Sequence, residues 1–333
     1  MASDILHIKD SYYFEVPKAL WKPNYDSLGN VPDFLIELHA DDFHLHPETR
    51  DYETLSPEEY TAEENHALEE FNHQMAGKIL IPQPPGAELK TLYQKESGFA
   101  ISKFMILELL VAGLMLFIFI WLKKKMSAGE PTHGKIANMF EGLLHFVRDK
   151  IAKPAIGHDA DKFVPLLWTI FFFIIFCNLL GLVPWMGTVT ASFGANLALA
   201  LGVLLTTFFA GFRAFGPKWL WSGFVPHMDL PIFLQPLKLM IFAIEVLGMF
   251  IKHTVLAIRL LANMAAGHLV LLAILGMIVS AAQANSEMFG LTATIAIIGA
   301  TCLSILEFGV ALLQAYVFTL LSALFIGSAA HEH

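Results

Sequence analysis

Residues 239–282 read LMIFAIEVLGMFIKHTVLAIRLLANMAAGHLVLLAILGMIVSAA. The run contains no proline and no turn cluster near its middle, so it reads as one continuous helix, not a hairpin of two. Its 44 residues would rise about 66 Å at the α-helical 1.5 Å per residue, roughly twice the thickness of a bilayer's hydrocarbon core. A straight helix of that length fits only at a tilt near ~60°, beyond the usual 0–40° range. Residues 288–330 form a second run of the same kind, with one charge, Glu307. The pair predicts two steeply inclined helices joined by Gln283-Ala284-Asn285-Ser286-Glu287, lying along a partner's surface, not in lipid alone.

Three shorter apolar runs precede them. Residues 104–122 carry one charge, Glu108, and 163–186 and 187–212 carry none. Each is long enough to span. The fold class expected is therefore an all-α polytopic membrane protein. Composition agrees: among 333 residues, 56% are apolar and only 15% charged, whereas soluble domains average about 25% charged. Between the first two spans, Ile136, Met139, Phe140, Leu143, Leu144, Val147 and Ile151 recur at helical spacing, with Lys135, Glu141, Arg148, Asp149 and Lys150 off the stripe. An amphipathic helix over 134–152, flat on the membrane face, is expected. Basic residues cluster at Lys123–Lys125, Lys135–Lys162, Arg213 and Lys218. The positive-inside rule then puts these loops and the C-terminus in the cytoplasm and the N-terminus outside.

Residues 1–98 differ in kind from the membrane domain, 99–333. Residues 1–100 carry 19 acidic against 7 basic side chains, which reads as an acidic, non-cytoplasmic extension. Ser56-Pro57-Glu58-Glu59 is a helix start, with Tyr60, Ala67, Leu68, Phe71 and Met75 on one face, and 81–86 reads as a linker. His39, His44 and His46 read as a solvated loop, since no second ligand cluster completes a metal site. Cys177 and Cys302 read as core residues. No basic patch suggests nucleic acid, no basic n-region precedes an apolar stretch as in a cleavable leader, and no metal or cofactor is expected.

The chemistry lies in the two long runs. Arg259 sits 20 residues into the first, where an arginine is costly. Glu245, Lys252 and Arg259 step by seven and so share a helix face, continued by Asn263 and Ala266. Glu245 is expected to offset Lys252, leaving Arg259 to seek an acid elsewhere. His268 falls nearly opposite Arg259. Glu307 is the sole acid of the last run, and Gln314 shares its face together with Ala300, Ser304 and Ala311. Antiparallel packing would bring Glu307 toward 259–268, and a histidine beside a carboxylate suits proton passage. An ion pair or packing role for Arg259 and His268 stays open at this point, as do a stand-alone ion-coupled transporter and a membrane scaffold.

Ile258-Arg259-Leu260-Leu261-Ala262-Asn263-Met264-Ala265-Ala266-Gly267-His268 resembles the signature of subunit a of F-type ATP synthases. Phe171–Pro184, Asn196 with the residues after it, and Leu313-Gln314-Ala315-Tyr316-Val317-Phe318 are similar to that family's other spans, so the likeness covers 100–333. It implies a stator subunit, not itself an enzyme, in an energy-transducing membrane. It implies two proton half-channels, with Arg259 facing a rotating ring of c subunits, and contacts with peripheral-stalk b subunits, other synthase subunits and lipid. Glu245, Asn263 and Gln314 fall on polar family positions along the path. His268 and Glu307 fall on a pair that some members carry with acid and histidine exchanged. His253 stands where a proline is common, which implies a straighter helix.

Overall fold

The apolar runs form helices because a chain in hydrocarbon must satisfy every backbone group within the segment. The computed structural model describes residues 10–22, 25, 69, 71–73, 75–126, 134–183, 186–219, 223, 235–283 and 289–330. Within it are six main helices: α1 (Lys103–Met126), α2 (Lys135–Phe146), α3 (Ala160–Gly181), α4 (Phe193–Phe215), α5 (Gln235–Gln283) and α6 (Phe289–Ala330). Five helical segments are long and apolar enough to cross a membrane. The two long runs are unbroken, at 49 residues for α5 and 42 for α6. Both therefore exceed a bilayer's thickness, as their sequence implied.

The chain forms two compact units, Lys9–Leu107 and a larger one comprising Glu108–Val183 and Gly187–His333. In the larger unit α6 packs against α5, α3 and α4. Its buried stripe is Glu307, Ala311, Gln314, Ala315, Phe318, Ser322, Ala323 and Ile326. Most of these recur at three or four residues, and the small ones let neighbouring helices approach closely. Ser304, expected near that stripe, is exposed and donates back to the Ala300 carbonyl. Cys302 is exposed, not core, whereas Cys177 is buried.

The amphipathic stripe finds partners within the protein. Phe140, Leu144, Val147 and Ile151 are buried within the protein. The Phe140 ring meets Phe172 at 5.8 Å, Trp168 Nε1 donates to the Leu144 carbonyl at 3.0 Å, and Phe146 meets Tyr316 at 5.8 Å. Of the stripe, Ile136 and Met139 remain exposed. The helix widens into a π turn at Val147–Ala152. Arg148 then grips Asp161 with two hydrogen bonds of 2.9 and 3.1 Å. α3 stops at Gly181 and α4 starts at Phe193, and the short connection that the sequence places at 184–190 falls between them. The stretch between the two helices contains a 3₁₀ turn, Val189–Ala191.

The smaller unit holds four short strands, which the sequence reading did not anticipate. β1 (Tyr13–Glu15) pairs antiparallel with β2 (Lys78–Leu80), Phe14 opposite Ile79. β3 (Glu88–Thr91) pairs with β4 (Gln94–Ser97). Residues 81–86 are not a free linker: Ile81 is buried, and the Gln83 amide donates to the Ile81 and Ile101 carbonyls while accepting from the Ile101 N–H at 2.8 Å. Tyr13 is fully buried; its hydroxyl bonds Tyr93 and reaches Glu15 at 3.3 Å. Burial first, then these neighbours, hold its phenol above the ordinary range. Burial pushes the Lys78 amine down, with Glu15 opposing. Phe71 and Met75, expected on one helix face, are both buried. The helix start at Ser56 and the histidines at 39, 44 and 46 lie outside the described residues.

Candidate functional site: a polar track between two long helices

Two polar pairs join α5 to α6. Asn263 Nδ2 donates to Gln314 Oε1 at 2.7 Å. About one and a half turns further along α5, His268 Nδ1 stands 2.7 Å from Glu307 Oε1. Residues 263 and 268 advance along α5 while 314 and 307 retreat along α6, as antiparallel packing requires. Glu307 and Gln314 are 5% and 3% exposed, so both are polar groups placed where burial is costly unless paired. The pairing expected between Glu307 and the 259–268 region is present.

The pair is close because Gly267 has no side chain. A Cβ there would lie 2.8 Å from Glu307 Oε1. The His268 ring is held on all sides: Nδ1 also meets the Met264 carbonyl at 3.2 Å, and Nε2 meets the Gly181 carbonyl at 3.1 Å and the Thr188 hydroxyl at 3.0 Å. The Nδ1 edge points between the Met264 carbonyl and the carboxylate, so its approach to Glu307 is an ion-pair contact more than a straight hydrogen bond. Gly181 and Thr188 come from α3 and the α3–α4 connection. Neither was singled out in the sequence as a histidine partner; the only signal was the polar run 187–190 between two apolar spans. Nearby, Asn178 Nδ2 donates to the Ala311 carbonyl at 3.1 Å, and Asn196 Nδ2 to the Thr190 carbonyl at 2.6 Å. The asparagines of α3 and α4 thus fasten the walls around the track.

Glu245, Lys252 and Arg259 are not part of this track. All three are exposed on α5, along with Leu247, Ile251, Val255 and Ile258. Seven residues separate neighbouring charges by about 10.5 Å along the axis. That is beyond ion-pair reach, and among the described residues Glu245 does not pair with Lys252. This corrects the expectation that it offsets that charge. Nor does any acid of the described residues pair with Arg259. His268, half-buried, and Arg259, exposed, face different surroundings, as their spacing indicated. His253, four residues after Met249, is buried; its Nδ1 approaches the Met249 carbonyl at 2.9 Å and its ring lies 4.6 Å from Phe325.

Unbroken apolar helices, a buried polar track between the two longest, and an arginine exposed on one of them define an all-α polytopic membrane protein. Residues 105–327 match the family described as ATP synthase A chain, and the chain belongs to that family. Among its relatives is ATP synthase subunit a 2 of Chlorobaculum tepidum, 41% identical over 206 residues, or 62% of this chain and 55% of that protein. ATP synthase subunit a of Chloroherpeton thalassium is 39% identical over 71% of this chain and 69% of its own length. That of Myxococcus xanthus is 37% identical over 74% of this chain and 80% of its own. The chain thus spans little more than half of the Chlorobaculum protein's length.

Proposed function

We propose that this chain is the stator subunit through which an F-type ATP synthase couples proton flow to rotation. In this reading it is not an enzyme by itself. It sits in an energy-transducing membrane with its N-terminus outside and its C-terminus in the cytoplasm, α5 and α6 steeply tilted. Its partners are a ring of c subunits, peripheral-stalk b subunits, other synthase subunits and lipid. Protons enter and leave by two half-channels. His268 and Glu307 line the access path, with Asn263, Gln314 and Glu245 as further polar positions along it.

The observation that carries the reading is Arg259. It is exposed on an apolar face of α5 with no acid of the described residues beside it, while the histidine–carboxylate pair lies on the other side of the same helix. A cation so placed is costly in hydrocarbon unless a carboxylate comes to it from outside the chain. A membrane-embedded carboxylate on each rotor subunit supplies that partner: Arg259 attracts it when deprotonated and blocks direct leakage between the half-channels. Guanidinium suits the task because it stays charged when desolvated, whereas a lysine readily loses its proton. The driving force is about 2.3 kcal/mol per charge per 100 mV.

Arg259→Lys in membrane vesicles tests this. ATP-driven proton pumping is abolished while the complex remains assembled. Normal pumping by that variant would remove the central role of Arg259 and favour a structural ion-pair scaffold.

A further inference from the structure

His268 is flanked on its Nε2 side by a closed triangle of polar atoms. Nε2 lies 3.0 Å from Thr188 Oγ1 and 3.1 Å from the Gly181 carbonyl, and Thr188 Oγ1 lies 3.4 Å from the same carbonyl. On the Nδ1 side stand the Met264 carbonyl and the Glu307 carboxylate. Three of these four neighbours, the two carbonyls and the carboxylate, accept hydrogen bonds in their ordinary state. The Thr188 hydroxyl is the one that both accepts and donates.

That asymmetry gives Thr188 a specific task. When Nε2 carries a hydrogen it donates to the Gly181 carbonyl, and the Thr188 O–H turns to that carbonyl's second lone pair. When Nε2 is bare it must accept, and a carbonyl cannot donate; the Thr188 O–H then turns to Nε2. Rotation about one C–O bond covers both states, and the threonine keeps its own hydrogen throughout. We propose that Thr188 is a positioning residue of the proton path, whose hydroxyl keeps His268 Nε2 paired whether or not it holds the coupling proton. The proposal rests on the reading of His268 as a path residue.

The surroundings hold the hydroxyl for this use. Thr188 is 1% exposed. Its carbonyl accepts from the Ala191 N–H at 3.0 Å, which ties it to the 3₁₀ turn. Its methyl fills the space above Gly181, where a Cβ would lie 2.9 Å from Thr188 Cγ2. Glycine at 181 and threonine at 188 are therefore fitted to each other, and the hydroxyl is directed at the ring.

The test uses the complete synthase in membrane vesicles, stripped of its soluble head and read for passive proton conductance per assembled complex. Thr188→Val keeps the shape and removes the hydroxyl; with a buried nitrogen left unpaired in one state, conductance falls about tenfold. Thr188→Ser restores the hydroxyl and most of the conductance. In a His268→Ala background, Thr188→Val produces no further loss, because the hydroxyl acts through the ring. If the valine variant assembles poorly, Thr188→Ala carries the same comparison. Wild-type conductance in Thr188→Val beside a loss in His268→Ala would overturn this proposal alone. So would a serine variant as slow as the valine one, or an equal further loss in the double variant; both would mark a packing residue. Wild-type conductance in His268→Ala would overturn the reading of His268 itself, and this proposal with it.

Discussion

Gly267→Ala is a small change with a calculable effect on the track. The new Cβ would lie 2.8 Å from Glu307 Oε1, and 3.1 Å from the carboxyl carbon, against an ordinary contact of 3.4 Å or more. The carboxylate is the far end of a flexible side chain, so it yields before either helix does, by about 0.6 Å. If the carboxylate moves directly away from the ring, the 2.7 Å approach to His268 Nδ1 lengthens to about 3.3 Å, at the long end of hydrogen-bonding range, and the contact weakens without breaking. A charge-assisted contact contributes about 1.5–3 kcal/mol when fully formed, and the lengthening forfeits roughly half of it. Since 1.36 kcal/mol is a factor of ten, proton conductance should fall by about three- to tenfold, with the helices and the assembled complex intact. Glycine-to-alanine in a helix interior otherwise favours the helix by about 1 kcal/mol, so lost stability cannot account for the drop. Passive conductance of head-stripped vesicles measures it. Wild-type conductance in Gly267→Ala, with normal assembly, would refute the idea that the His268–Glu307 approach matters for flux.

Gln314→Leu leaves the Asn263 amide without its acceptor and should cost about 1–3 kcal/mol, read as a lower unfolding temperature of the purified complex; double replacement with Asn263→Leu should recover much of that. Trp168→Phe removes the indole donor to the Leu144 carbonyl, costs about 1 kcal/mol and should raise hydrogen exchange in residues 135–146 specifically. In the N-terminal unit, Tyr13 has its pKa raised by burial and by Tyr93. The native state therefore holds its proton where the unfolded chain has lost it, and stability falls as pH rises above the ordinary tyrosine value of about 10. Tyr13→Phe should move the alkaline loss of protease resistance of this unit to higher pH; an unchanged midpoint would show that Tyr13 does not drive it.

Much of the membrane part was legible because helix length, apolar runs and seven-residue steps are local facts. The 44-residue run without proline reads as a single helix on its own, and the position of Glu307 against His268 follows once two such helices lie antiparallel. The partners of His268 outside those helices were not legible. Thr188 and Gly181 become neighbours of residue 268 only through the turn after α3, and nothing in their own spacing points there. The amphipathic stripe shows a second limit: periodicity tells that Phe140 and Leu144 share a face, not whether lipid or Phe172 covers it. The strands of the N-terminal unit are three or four residues long, too short to show a period of two. What holds that unit, such as the Gln83 clamp on residue 101, is long-range in sequence.

The account stands on where Arg259 meets its counter-charge. A density map of the intact synthase in a lipid environment measures this directly. The side chain of residue 259 should approach a carboxylate of an adjoining ring of identical subunits, across the exposed face formed with Leu247, Ile251, Val255 and Ile258. A map placing that guanidinium in bare lipid, or against a stationary neighbour with no ring beside it, would contradict the account.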